Sequence, residues 1–407
     1  MTVHSSATVQ TQALSADQRR LVLILGSLSA IGPLSVDMYL PAFPEMASSL
    51  ATDLPSVEAS LASYFAGLSL GLLFYGPLAD RFGRKIPLLV GLVIYALASI
   101  TCAMAQSIEA VVALRFLQAL GACGGMVIPR AIVRDRFGHQ DSARIFSLLM
   151  LIMGVAPILA PMMGGAFSEN FGWRSIFWFL TAFSALIIAS VTTFLPETHG
   201  AHPEYKIKGS LVTFGKLLRE REFMRYTLAG SLAQAGMFAY ITGSPFVFIE
   251  YFGIPAANFG WVFGFNALGL IAVSQLNARL LRTFSYEKIL HAALYILTAA
   301  GLVLMLSGIS GGGFWAVLIP LFIYVATLGA TFPNAAAGAL ASQGRNAGSA
   351  SAMLGTIQML TASLAALMVS HLHATSAATM ASLVGLCGIS SLTVFILMNR
   401  KKNPAAP

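Results

Sequence analysis

Apolar residues run along this chain in long blocks separated by short polar breaks. Twelve blocks lie near residues 20–42, 57–79, 86–106, 109–133, 144–167, 173–195, 224–250, 257–279, 286–308, 314–339, 347–371 and 376–398. Each is close to the roughly 20 residues a helix needs to cross a bilayer. Lipid admits only helices or closed barrels, and the blocks are too long and too continuous for alternating barrel strands. The pattern therefore predicts an all-α membrane protein with twelve transmembrane helices. The longest internal polar stretch, residues 195–225, divides the blocks six and six. The expected organisation is an N-terminal half over residues 1–196, a linker over 197–222 and a C-terminal half over 223–407, with a short tail at each end. Within the polar stretch, "FGKLLREREF" reads as a short amphipathic helix lying on the membrane surface.

Composition strengthens this reading. Of 407 residues, 57% are hydrophobic and only 10% charged, with a mean hydropathy of +0.77; a soluble domain carries roughly 25% charged residues. Charge then supplies an orientation. With the N-terminus placed in the cytoplasm, 22 of the 24 Lys and Arg residues fall on the cytoplasmic side, and the exceptions are Arg115 and Arg174. The positive-inside rule puts both termini in the cytoplasm. The net charge of +8 has the same origin, so nothing points to nucleic acid. The first block follows Arg19 and Arg20 but is too long for a signal peptide and is read as retained. Cys102, Cys123 and Cys387 sit in apolar runs and form no metal or disulfide pattern. His371 and His373 lack acidic or cysteine neighbours and read as a polar loop edge.

The halves are weakly alike. Block 1 ends in "LPAFPEM" and block 7 in "SPFVFIEYFG"; "LADRFGRKIP" follows block 2, and "LLRTFSYEKIL" follows block 8. Transporters often carry such repeats, with the substrate site at the midplane between them.

Two charges lie inside blocks. Asp37 stands alone in "IGPLSVDMYLPAFP", six residues inside the outer end of block 1, and Arg115 stands six residues inside the outer end of block 4. At 1.5 Å per residue each is about 9 Å deep, so they share a depth. A charge within a membrane is a functional candidate by default. Asp37 is expected to take up and release a proton, with Arg115 tuning it. Burial opposes ionisation and a nearby cation favours it, and the sequence leaves open which prevails.

Three further stretches carry a signature. "GPLADRFGRK" holds Gly76, Asp80, Arg81, Gly83, Arg84 and Lys85 between blocks 2 and 3. Its glycines are read as permitting a tight turn and close helix approach. Asp80 is expected to join the two halves, with Arg134 or the start of block 11 near Asn346 as partner. This stretch closely resembles motif A of the major facilitator superfamily. "RFLQALGACGG" resembles that family's motif B through Arg115, Gln118 and Gly121, with Ala119 in place of a glycine. "GVAPILAPMMGG", with Gly154, Pro157, Pro161, Gly164 and Gly165, resembles motif C of the drug:proton antiporters, with Ala160 in place of a glycine. "LSVDMYLPAFP", "FGRKIPLL", "IVRDRF", "GWRSIFWFL", "SPFVFIEYFG" and "RNAGSASAMLG" read like the bicyclomycin-resistance (Bcr/CflA) branch.

The resemblance spans about Leu21 to Arg400. It implies the major facilitator fold and a monomeric exporter in a bacterial inner membrane. Its substrates would be small drugs resembling bicyclomycin, chloramphenicol or sulfonamides, with the proton as coupling ion and no cofactor. It places Tyr39, Tyr64, Tyr240, Phe246, Phe263, Asn266 and Asn334 in spans that line the family's cavity. As a group these suit a mostly apolar site with a few polar anchors. An exporter or importer of small metabolites, such as amino acids or dipeptides, is the other reading. No catalytic cluster of an enzyme is visible.

Overall fold

The computed structural model describes residues 16–137, 139–198, 200, 207–372 and 376–399. It is built from fourteen α-helices: α1 (Ala16–Asp37), α2 (Phe43–Ser49), α3 (Leu54–Phe82), α4 (Lys85–Met104), α5 (Ile108–Arg136), α6 (His139–Phe171), α7 (Arg174–Phe194), α8 (Ile207–Leu217), α9 (Arg221–Ser244), α10 (Phe259–Leu280), α11 (Tyr286–Ile309), α12 (Phe314–Leu340), α13 (Ala347–His371) and α14 (Ala378–Leu397). Among the described residues eleven helical stretches are long and apolar enough to cross a membrane. The 33-residue α6 occupies the place of the other expected span. The molecule is thus an all-helical membrane fold of two six-helix halves. Large apolar side chains such as Leu97, Leu186, Leu306 and Trp315 are left exposed, as a lipid-facing surface requires.

The same packing pattern occurs twice. In the first half α3 packs on α5, α4 on α5 and α7, and α1 on α5, α6 and α7; in the second, α10 packs on α12, α11 on α12 and α14, and α9 on α12, α13 and α14. The first helix of each half also breaks at the same end. α1 stops at Asp37, followed by a 3-10 turn over Leu40–Ala42, and α9 runs into a π-helical turn over Pro245–Tyr251. Proline at each break removes a backbone donor and enforces it.

Two helix pairs join the halves, α3 with α13 and α6 with α10. Along the first pair, hydroxyls bond across the seam to backbone carbonyls: Ser69 to Thr356 at 3.0 Å, Ser363 to Ala62 at 2.8 Å and Ser370 to Pro55 at 2.6 Å. Small polar residues of this kind let helices approach closely in lipid and satisfy one another. The seam is also closed at the end away from the termini, where α2 and the Leu40–Ala42 turn meet the Pro245–Tyr251 turn.

The linker helix differs from the expected one. α8 begins at Ile207 and stops at Leu217, and Glu220 already caps α9. It packs on both α3 and α13 and sinks Phe214 and Leu217 into a cluster with Phe223 and Tyr226. Phe214 and Leu217 are covered by protein, while Val212 stays exposed.

Candidate functional site

Asp37 occupies the broken end of α1. It is 5% exposed and makes no hydrogen bond or ion pair to any described residue. The C-terminus of a helix carries partial negative charge, so the position is unfavourable for an anion and suited to a proton or another cation. Its electrostatic neighbour is Tyr240 of α9, in the other half. The end of α1 lies at the seam, where the Leu40–Ala42 turn that follows it meets the Pro245–Tyr251 turn of the other half.

Arg115 does not reach Asp37 as an ion pair. Its Nη1 donates to Gln118 Oε1 at 2.5 Å and its Nη2 to the Ser35 carbonyl oxygen at 2.9 Å. The guanidinium lies over the rings of Tyr39, 4.6 Å away, and Tyr64, 4.1 Å away. Gln118 passes the network to Ser99, and Ser35 Oγ meets the Tyr95 hydroxyl at 2.6 Å. Arg115 lies level with the end of α1, since it reaches the Ser35 carbonyl, but the rotation of α5 turns it into the core of its own half. There two aromatic faces take the place of a carboxylate as its counter-charge. Arg115 holds the carbonyl two residues before Asp37 and so sets where α1 ends.

The expected pocket residues divide into three places. Tyr39 and Tyr64 belong to the Arg115 cage, and the Tyr39 hydroxyl meets Ser60 Oγ at 2.7 Å. Tyr240 and Phe263 stack with centroids 5.2 Å apart, and Asn266 Nδ2 donates to the Tyr240 hydroxyl at 3.3 Å. This group lies in the second half, joining α9 to α10. Phe246 lies half-buried in the π-helical turn. Asn334 stands apart and donates to Asn277 Oδ1 at 2.7 Å, tying α12 to α10. Sequence reasoning missed Phe65 and Phe238, which meet edge-to-face across the seam at 4.5 Å. It also missed Gln234, whose Oε1, like Asn266 Oδ1, is buried without a partner. A polar residue amid apolar ones in block 7 was the available signal for Gln234.

Motif C sits where α6 meets both halves. Gly164 packs against the backbone of Met38, just past the break in α1, and an added Cβ would collide with the Met38 carbonyl oxygen. A Cβ on Gly165 would lie 2.9 Å from the Ala256 carbonyl oxygen in the other half. Gly154 lies against Ile271 of α10, and Pro157 and Pro161 fall within α6. Gly164→Ala is expected to destabilise the protein by about 1–3 kcal/mol, the usual cost of overpacking. Thermal melting of the purified variant measures this, and melting identical to wild type would show that α6 yields freely.

Motif A is a charge cluster inside the first half. Arg84, between α3 and α4, donates from Nη1 to Asp80 at 2.7 Å and from Nε to Asp135 of α5 at 3.0 Å. Burial works against its charge, but hydrogen bonds to Asp80 and Asp135 outweigh that effect and hold the guanidinium proton more tightly than usual. Glu197 accepts from the backbone N–H groups of Arg84 and Lys85 at 2.8 and 3.0 Å, and Lys85 Nζ donates to the Thr192 carbonyl at 2.9 Å. A carboxylate is well placed at the start of a helix, where the N–H groups have no other partner.

Asp80 is therefore bound to Arg84, not to Arg134 or to the start of α13. The Arg134 side chain is exposed, and one residue further along α5 Asp135 faces the cluster. Arg81 lies over the Phe82 ring at 5.3 Å. Gly83 has φ +83, which its place at the end of α3 requires. Gly76 lies inside α3 with nothing within 4 Å of an added Cβ, so it permits no close approach. Among the described residues no cluster of metal ligands is present; His373 lies outside them.

Comparison with known proteins adds three kinds of likeness. Residues 25–366 match the family model of the Major Facilitator Superfamily. The chain is 35% identical to an uncharacterized MFS-type transporter, YdgK, of Bacillus subtilis, over 94% of this chain and 96% of that one. It is 30% identical to a bicyclomycin resistance protein homolog of Haemophilus influenzae, over 93% and 96%. A chloramphenicol resistance protein of Pseudomonas aeruginosa is 30% identical over 77% and 76%. In fold, the chain resembles a D-xylose-proton symporter with a TM-score of 0.74 at 13% identity, covering 94% of this chain and 97% of that one.

Proposed function

Because the chain belongs to the Major Facilitator Superfamily, we propose that this multi-pass membrane transporter exports small drugs in exchange for protons, with Asp37 as the group where drug and proton compete. The observation that carries the reading is an enclosed, unpaired carboxyl at a helix C-terminus, at the end of α1 that meets the opposite half. Such a group gains from binding a cation and does so where the two halves part. Relatives named for bicyclomycin and chloramphenicol resistance support the substrate class.

The orientation belongs to the same proposal. Basic residues crowd the end that carries the termini, which supports a cytoplasmic position for that end in a bacterial inner membrane. The closed end then faces the periplasm. Tyr240, Phe263 and Asn266 would stack on and hydrogen-bond a drug, and the unmet oxygens of Asn266 and Gln234 would accept its donors. A proton neutralises Asp37 and a bound drug instead fills the seam and hydrogen-bonds its carboxylate, so the halves rock with one or the other aboard. The Arg84 cluster keeps the cytoplasmic ends of α3, α4 and α5 together as one rigid piece during this motion. The protein works as a monomer, since each chain holds both halves, and the proton takes the place of a cofactor.

The test is expression in a bacterium stripped of its own drug pumps. Tolerance of bicyclomycin, chloramphenicol or a sulfonamide is expected to rise and to vanish when the proton gradient is collapsed. Unchanged susceptibility to all three, or export that survives an uncoupler, overturns the reading. A reporter fused at Pro407 that reads periplasmic overturns the orientation.

A further inference from the structure

A second enclosed acid lies nearer the closed end. Glu58, in the second turn of α3, is 3% exposed and has no hydrogen bond or ion pair to any described residue. Its electrostatic neighbours are themselves acidic: Glu250 of the π-helical turn in the other half, and Asp53, which caps α3 by accepting from Ser56 N at 3.0 Å. Glu250 is exposed at the rim, above a Glu58 that water barely reaches. From α13 the adjoining contact is Ser370 Oγ on the Pro55 carbonyl, and the titratable group there is His371, exposed with its ring on the Leu367 carbonyl. From α2 the charged group is Glu45, which accepts from Trp173 N and Ser168 Oγ and is so engaged with the turn before α7. No cation among the described residues answers Glu58.

In the closed seam Glu58 is stripped of water with no described cation to answer it, and the acidic Glu250 of the opposite half adds to the cost of its charge. Two like charges in such a place repel, and a buried unpaired anion is costly. One proton removes both penalties. An uncharged Gln fills the same space without either, so packing alone does not account for an acid here.

We propose that Glu58, with Glu250 as its water-facing neighbour, is a second proton-binding site, and that the end of the seam at α2 and the π-helical turn closes only when this site holds a proton. The inference rests on the orientation and rocking motion proposed above. It makes this end of the seam the place where a periplasmic proton is sensed before drug-free return.

Spin labels at the exposed Ser48 and Asn258 straddle this end of the seam. They are to be introduced into purified protein carrying Asp37→Asn and Cys387→Ala, so that the readout depends neither on drug nor on Asp37. Raising the pH from 5 to 8 is expected to lengthen the distance, with the open-to-closed ratio changing by up to about tenfold per pH unit for a single proton. Glu58→Gln is expected to hold the seam closed across that range. Glu58→Asp retains the response, and Glu250→Gln reduces it. Distances that ignore pH in the Glu58 protein, or a full response persisting in Glu58→Gln, overturn the proposal. Either result leaves the drug-resistance test above untouched, so the two readings fail separately.

Discussion

Asp37→Asn protein is expected to bind drug with an affinity that no longer depends on pH, and to lose all export driven by a pH gradient. Asn keeps the shape and the hydrogen-bonding capacity of the carboxyl but does not ionise. Binding of a neutral drug at high pH should therefore change by no more than about 1.5 kcal/mol, the worth of one altered hydrogen bond. Wild-type affinity should fall moderately as the pH falls, because protonation turns one acceptor oxygen of the carboxylate into a donor and weakens the other as an acceptor, and drug binding should release protons. The measurements are proton release from purified protein on drug addition and drug movement in vesicles under an imposed gradient. If Asp37→Asn still moves drug in proportion to the gradient, the coupling group lies elsewhere and the break in α1 is structural.

Arg115→Ala should cost about 3–5 kcal/mol of stability, comparable to deleting a large buried aromatic side chain. It removes the filling of the cage between Tyr39 and Tyr64, the bond to the Ser35 carbonyl and the partner of Gln118. Since a loss of that size threatens folding itself, Arg115→Lys is the informative companion. Lysine keeps the charge but lacks the planar fork that reaches Gln118 and Ser35 together. It is expected to fold, to melt at a lower temperature and to bind drug with an altered pH profile, since the end of α1 shifts under Asp37. A wild-type pH profile in a folded Arg115→Lys protein would show that Arg115 supports the helix without positioning the carboxyl.

How much of this was legible beforehand follows from what each feature depends on. A span needs about 20 apolar residues wherever it lies, so the helices could be read from the sequence by counting. Rise is likewise additive along a helix, and Arg115 lies level with the end of α1, where it reaches the Ser35 carbonyl. Partnership is not additive. Neighbouring residues on a helix point about 100° apart, and that angle separates the exposed Arg134 from Asp135, which holds Arg84. Glu58 was passed over because an acid early in a helix ordinarily faces water and suits the helix dipole; only the packing of the folded helices makes it a buried charge that no described cation answers.

By itself, then, the sequence determined the membrane class, the twelve spans, the division into two halves and the two isolated charges, since each rests on local composition and on hydropathy summed along the chain. The tertiary structure alone decided that Arg115 serves the backbone of α1 through tyrosine faces, that motif A closes within one half, and that Gly164 and Gly165 make room for Met38 and Ala256. These depend on helix rotation and on contacts between distant segments, which packing fixes only when all the helices are in place.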